Sequence, residues 1–463
     1  MRIDDQVFAI ASRMAARLWL GWLLAFPMGA AAVYVPCQPV PPVADNRNPF
    51  IALYEPFDAV GERAVRLVDL CYGTYLSWVE KAFGKPGNVQ LDRRFELYRP
   101  ADFPPSQKLP LIIWAHGNGS TQAMDVKGRD GNYPALETRV RPALRNGFAF
   151  MSVEFRHPRV SIPYRPPPPP PPPEPDRPEF DVANTDIATA VQWVRWRADD
   201  LGVDADNIFL LGKSRGSLSI LTALMPDQAR VATAGEPYAA SSSKPRAVFA
   251  IQAQTSYDHD QLRDLLVLKE ATATALQRIV QLPLEFPSCL GDGSAYDYHC
   301  HFDRVDPVFL TEGSALSELD EDDPPVWLRY ERAPTDPERG RIVPLGLTVA
   351  RAGADQNAGL CFEPAPLRCL DVHHPNFGLA LRMRFLELGV HTGSRAQVFV
   401  QYADATDPDW AEERFFDSYT CFFIQHLTPE GNLRRKAART TPDCALHETD
   451  VWPAITGRRQ RAP

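Results

Sequence analysis

No basic run of the kind that marks nucleic-acid binding occurs in this 463-residue chain, whose formal net charge is −9 with both signs interspersed. Nucleic-acid binding needs a concentrated positive stripe, so that class is set aside. None of the eight cysteines stands in a C-x-x-C pair, which argues against a zinc site or a thioredoxin-like centre. The apolar stretch "LWLGWLLAFPMGAAA", Leu18–Ala32, is shorter than the roughly 20 residues of a membrane-spanning helix, so no stable membrane span is expected once it is removed. No sequence signature points to a metal or an organic cofactor.

What is present begins with a targeting segment. Arg2, Arg13 and Arg17 precede the apolar stretch, and small residues in an A-x-A arrangement follow, which predicts cleavage near Ala31 or Ala32. Residues 1–32 are therefore read as a signal peptide and the protein as secreted or periplasmic. Cys37, Cys71, Cys289, Cys300, Cys361, Cys369, Cys421 and Cys444 form an even set, which in an oxidising compartment favours disulfides. Pairing of nearest neighbours is the simplest connectivity.

Hydrophobic residues make up 44% of the chain, enough for a large core. Continuous apolar runs, the mark of strands buried on both faces of a parallel sheet, occur at Leu109–Ala115, Gly147–Phe155, Asn207–Gly212, Ala247–Ala253, Pro325–Tyr330 and Gln397–Tyr402. "RRFELYRP", Arg93–Pro100, reads as a further strand. Between the runs lie helical patterns. "DIATAVQWVRWRADDLG" puts Ile187, Val191, Trp193 and Val194 on one side, and "NFGLALRMRFLELG" offers Leu379, Met383, Leu386 and Leu388 for packing. Strands alternating with helices predict an α/β fold built on a doubly wound, mainly parallel sheet. Two insertions interrupt it. Residues 163–178 hold the run Pro166–Pro173, a polyproline II rod of about 25 Å read as a stiff surface loop. Residues 256–323 are placed to form a lid over the carboxyl edge of the sheet.

Two motifs carry chemistry. Gly212-Lys213-Ser214-Arg215-Gly216 matches G-x-S-x-G and stands between an apolar strand and a helix. In such an elbow the serine occupies a strained turn, and the flanking glycines remove side chains that would collide with neighbouring backbone. "WAHGNG" places His116-Gly117-Asn118-Gly119 directly after an earlier strand. An acyl-transfer site needs two backbone N–H donors for the oxyanion, one from the residue after the nucleophile (Arg215) and one from this loop (Gly117, Asn118). His116 is read as a brace for the loop.

The order of "HGNG", "SVEFRHP", "GKSRG" and "DDPPVWLRY" resembles α/β-hydrolase-fold serine esterases of the carboxylesterase and hormone-sensitive-lipase-like kind. The resemblance covers residues 91–427, leaving 33–90 as an N-terminal extension and 428–463 as a tail. It implies an α/β-hydrolase fold and hydrolysis of a small-molecule or polysaccharide-borne ester through Ser214, with a triad in the order Ser, Asp, His and no metal. The acid is expected after the run ending at Tyr330: Asp336 is nearest, and Asp371 in "DVHHP" matches the family's acid-bearing segment, which would make 331–370 a further insertion closed by Cys361 and Cys369. The base departs from the pattern. "ADATDPDWAEERFF", after the last run, contains no histidine. His373 and His374 are the replacements expected to open onto the same edge, with His447 brought back by a disulfide as the alternative, while His426 is read as packing. Two other readings stay open: a binding or scaffold protein on a hydrolase fold that has lost catalysis, and a serine peptidase of the prolyl-oligopeptidase-like kind.

Overall fold

A strand whose residues are apolar at every position needs cover on both faces, and the structure supplies it. The computed structural model describes residues 53–59, 61–72, 93–104, 106–117, 136–155, 181–227, 236–256, 314–330, 348–349, 361–362, 368–369, 375–388, 396–402 and 419–438. In chain order the elements used here are β1 (Glu55–Asp58), β2 (Arg63–Cys71), β3 (Arg94–Pro100), β4 (Leu109–Ala115), α1 (Arg141–Arg145), β5 (Ala149–Val153), α2 (Asp181–Trp196), α3 (Ala198–Leu201) and β6 (Val203–Lys213). There follow α4 (Arg215–Ile220), β7 (Val248–Ile251), α5 (Ala315–Glu318), β8 (Val326–Tyr330), β9 (Thr348–Val349), β10 (Cys361–Phe362), β11 (Arg368–Cys369), α6 (Asn376–Glu387), β12 (Val398–Tyr402), α7 (Tyr419–Gln425) and α8 (Pro429–Ala438).

Nine strands form one sheet in the order β1-β2-β3-β5-β4-β6-β7-β8-β12. β5 through β12 in that order run parallel, while β1, β2 and β3 pair antiparallel at one side. Alternation within the runs divides the core in two. Leu111 and Ile113 of β4, Leu210 of β6 and Leu328 of β8 face α2, which buries Ile187, Val191, Val194 and Trp193 as the pattern predicts. Ile112, Trp114, Phe209, Phe249, Trp327 and Phe399 face the other way against α1 and α7. That second face is aromatic: the Phe209 and Phe423 rings stack at 4.7 Å, and Phe249 meets Trp327 edge-on at 4.4 Å.

Chain entry into the sheet comes earlier than residue 91. β1 and β2, inside the segment read as an extension, add to β3 through an antiparallel ladder from Ala64↔Pro100 to Cys71↔Arg94, with a register shift between Leu67 and Leu70. The tail also begins inside the fold. The Thr428 N–H donates to Asn207 Oδ1 at 2.8 Å, and the α8 backbone at Gly431 lies so close to Asn207 that an added Cβ would meet its side chain at 2.4 Å.

The packing face of α6 differs from the expected one. Phe377, Ala380 and Leu381 are buried, Leu379 and Met383 only partly so, and Leu386 and Leu388 are 39% and 38% exposed. Gly378 decides this, because a Cβ there would meet the Tyr330 ring at 2.4 Å and Val400 at 3.1 Å. The helix therefore docks through its glycine side and turns its last leucines outward.

The signal peptide 1–32, the proline-rich loop 163–178 and residues 257–313 of the proposed lid lie outside the described residues. The ends of that insertion are joined, with Ser256 Oγ 3.2 Å from Ser314 Oγ and Leu316 N–H donating to Thr255 O at 2.9 Å. Within 331–370, β9, β10 and β11 form a small antiparallel sheet whose register sets Cys361 directly opposite Cys369. Among the described residues no helix is long and apolar enough to cross a membrane.

Candidate active site

The winding of the chain selects the place. From β4 it crosses to β5 on one side, and it later returns to lay β6 on the other side of β4. In an open α/β sheet this reversal leaves a crevice at the carboxyl ends of the two diverging strands. β4 ends at Ala115 and β6 at Lys213, so "HGNG" and "GKSRG" issue side by side into that crevice, with Ala115 paired to Gly212.

Ser214 has φ 54° and ψ −116°, a backbone conformation that side-chain-bearing residues rarely adopt. Contacts on every side hold it there. Its N–H donates to Ile251 O of β7 at 2.9 Å, its carbonyl accepts from Leu218 N–H at 3.1 Å, and the Ser217 hydroxyl donates to Ile251 O at 2.6 Å. Both flanking glycines are obligatory. A Cβ on Gly212 would lie 2.7 Å from the Gly216 carbonyl carbon and oxygen, and one on Gly216 would lie 2.1 Å from Ala115 O and 2.5 Å from His116 O. The turn thus raises Ser214, half-buried, at the start of α4. Arg215, the first residue of that helix, presents an N–H with no carbonyl one turn before it.

Gly117 closes the crevice from the β4 side. A Cβ placed on it would sit 3.7 Å from Ser214 Cβ and 3.6 Å from Lys213 O, so its backbone passes directly against the serine. Together these features are those of a nucleophile elbow on a sheet of matching strand order. The fold is that of the α/β hydrolases.

Within this hydrolase fold His116 is fully buried. Its Nδ1 lies 2.9 Å from Gly117 O, to which it donates, and its Nε2 lies 3.3 Å from Glu154 Oε1 at the end of β5. The Phe155 ring packs on it at 5.0 Å, and the Tyr72 hydroxyl donates to Glu154 O at 2.7 Å. The imidazole therefore fills the space between the Gly117 loop and the residues that follow β5. Glu154 is a partner that sequence inspection passes over, because a carboxylate inside an apolar run carries no pattern of its own. His426 belongs elsewhere: its carbonyl accepts from Arg246 Nε at 2.8 Å, at the amino edge of the sheet, and its ring packs on Phe422 at 4.7 Å.

Asn118, Asp336, Asp371, His373, His374 and His447 lie outside the described residues. The element that follows the histidine pair is well placed. Phe377, in the first turn of α6, accepts through its carbonyl from the Thr255 hydroxyl at 3.0 Å, and Gly378 abuts Tyr330 at the carboxyl end of β8. The start of α6 is thus fastened to the loops that leave β7 and β8 on the Ser214 edge. Gln252, immediately after β7, also has positive φ, at 56°, and no sequence signal marks it.

No protein-family model matches the chain. Among curated proteins it is similar to Lipase 1 of Geotrichum candidum, 24% identical over 208 residues, which is 39% of this chain and 34% of the lipase. The match thus spans about a third of that relative's length. Among solved structures it is similar to the thermophilic esterase Est2 of Thermogutta terrifontis, with 16% identity, 52% of this chain and 67% of that one covered, and a TM-score of 0.32. A truncated carbohydrate esterase from gut microbiota gives 14% identity, 77% and 96% coverage, and a TM-score of 0.38.

Proposed function

We propose that this chain is an exported serine hydrolase that cleaves carboxylic esters through an acyl-enzyme on Ser214. One observation carries the reading: Ser214 is held at φ 54° and ψ −116° between two glycines that cannot be anything else, at the crevice where the sheet reverses. An ordinary turn has no need of such a conformation on a serine, whereas a nucleophile that must stand clear of its own backbone does. The partial likeness to a protein named Lipase 1 supports ester hydrolysis.

In the proposed cycle Ser214 Oγ attacks the ester carbonyl carbon while a histidine takes the hydroxyl proton. The N–H groups of Arg215 and of the Gly117–Asn118 loop hold the oxyanion. Collapse of the tetrahedral intermediate breaks the bond to the alcohol, which leaves with the proton from the imidazolium. Water then attacks the acyl-enzyme by the same steps and frees Ser214 and the acid. His373 or His374 is the base in this reading, supported by the attachment of α6 to the serine edge, and Asp371 or Asp336 orients it. Export is supported by the N-terminal segment and by Cys71 and Cys421, both disulfide-bonded. The substrate is a small-molecule or polysaccharide-borne ester.

A binding protein on the same fold is favoured by the lack of histidine in residues 403–416 and by the proline run Pro166–Pro173. A fluorophosphonate probe separates the two, since only an activated serine reacts quickly. Stoichiometric labelling of Ser214, lost in Ser214→Ala together with turnover of 4-nitrophenyl butyrate, is the expected result. An unlabelled, inactive wild type, or undiminished turnover by Ser214→Ala, overturns the proposal. Loss of turnover in His373→Ala or His374→Ala, but not in the other, identifies the base. Proline-containing peptides left uncut exclude the peptidase.

A further inference from the structure

Two non-glycine residues among those described have positive φ, Ser214 at 54° and Gln252 at 56°, and one hydrogen bond joins Ser214 to the residue before Gln252. Ser214 N–H donates to Ile251 O at 2.9 Å, and Gln252 is the next residue in the chain. Standard peptide dimensions then place the Gln252 Cα within about 6 Å of the Ser214 nitrogen. Gln252 therefore stands beside the elbow at the carboxyl end of β7, one residue past the Lys213↔Ile251 pair.

A glutamine in this conformation costs free energy that glycine would not, and it persists only where the surroundings over-determine it. They do so here from three elements. The Gln252 N–H donates to Arg329 O of β8 at 2.7 Å, and the Tyr330 hydroxyl donates to Ala253 O at 2.8 Å. Thr255 accepts from Leu316 N–H of α5 at 2.9 Å and donates through its hydroxyl to Phe377 O of α6 at 3.0 Å. The main chain is thus engaged at Gln252, Ala253 and Thr255, while the Gln252 side chain is half-buried and has no hydrogen-bond partner among the described residues. A carboxamide offers one donor group and one acceptor, the complement of a hydroxyl, and it carries no charge with which to do proton transfer.

We propose that Gln252 is a specificity-determining residue of this site: its carboxamide hydrogen-bonds a hydroxyl on the part of the substrate away from the scissile bond, so that hydroxylated esters are selected over plain alkyl esters. The assignment rests on the serine-hydrolase reading above and narrows its substrate class. A partly buried amide built to pair with a hydroxyl is left unmatched by an alkyl chain, and that mismatch produces the discrimination.

The test compares glyceryl monobutyrate with propyl butyrate, which share the acyl group and differ by two hydroxyls on the alcohol, in the wild-type protein, Gln252→Gly, Gln252→Ala and Gln252→Asn. Fluorophosphonate labelling of Ser214 reports separately on the nucleophile. The expected result is a wild-type preference for the glyceryl ester in kcat/KM, reduced about tenfold in Gln252→Gly and Gln252→Ala and less in Gln252→Asn, which keeps a shorter amide. Gln252→Gly should also melt above Gln252→Ala, since glycine alone relieves the backbone. An unchanged ester ratio in a Gln252→Gly protein that still labels overturns the assignment and leaves the hydrolase reading standing. A wild type that neither labels nor turns over either ester defeats the parent reading instead.

Discussion

Replacing Ser214 by glycine and by alanine separates the two things the structure says about this residue, its chemistry and its backbone. Both variants remove the hydroxyl, so both should lose ester turnover and fluorophosphonate labelling. They differ only in the Cβ, which is what makes φ 54° and ψ −116° costly. A side-chain-bearing residue in such a region costs about 1–3 kcal/mol. Glycine gives back about 0.5–1 kcal/mol of this through its greater freedom in the unfolded chain. Ser214→Gly should therefore exceed Ser214→Ala in stability by about 0.5–2 kcal/mol. Guanidinium unfolding midpoints in one buffer, with equal slopes, measure this difference directly. The contacts that impose the conformation, Ser214 N–H to Ile251 O at 2.9 Å and Leu218 N–H to Ser214 O at 3.1 Å, are main-chain and survive in both variants. If Ser214→Ala equals or exceeds Ser214→Gly in stability, the turn is not strained and the central argument for a nucleophile elbow fails.

Two further outcomes follow from single contacts. Gly216→Ala drives a Cβ to 2.1 Å from Ala115 O, and because the obstacle is backbone, α4 must retreat by about 1 Å, which costs about 1–3 kcal/mol and about a hundredfold in kcat; a variant within threefold of wild type on 4-nitrophenyl butyrate would falsify the packing account. At the amino edge, Asp323 is buried with Oδ1 2.7 Å from Lys244 Nζ, and burial outweighs the lysine and pushes its carboxyl up to about 6. The folded state then holds this proton more tightly than the unfolded one, so this group's contribution falls as pH rises from about 4 to about 6, by on the order of 3 kcal/mol. Asp323→Asn should flatten the stability profile between pH 4 and 7 relative to wild type, and an unaltered slope counts against the assignment.

How legible each part was depends on whether local chemistry or distant contacts decides it. The parallel strands are legible because a strand covered on both sides must be apolar at successive positions, as Leu109–Ala115 is. The elbow is legible because its glycines are demanded by backbone only a few residues away: Gly212 abuts Gly216, and Gly216 abuts the strand that "HGNG" leaves. By contrast, Arg99 sits in "ELYRP" as a plain strand arginine, yet it is fully buried and donates to Leu201 O, Gln107 O and Pro104 O, carbonyls that only the folded chain gathers. The packing face of α6 departs from its leucine pattern for a related reason. A count of leucines favours Leu386 and Leu388, whereas the Tyr330 ring, far off in sequence, admits only the Gly378 side. Gln252 is the extreme case. Nothing in "FAIQAQTS" distinguishes it from a strand end, because the sign of its φ is imposed by Arg329, Tyr330, Leu316 and Phe377, which arrive from three later elements. Sequence reading thus finds where Ser214 stands, since that depends on close neighbours. The conformation of Gln252 becomes visible only once β8, α5 and α6 have closed around the end of β7, and that same closure is what holds an energetically unfavourable glutamine beside Ser214.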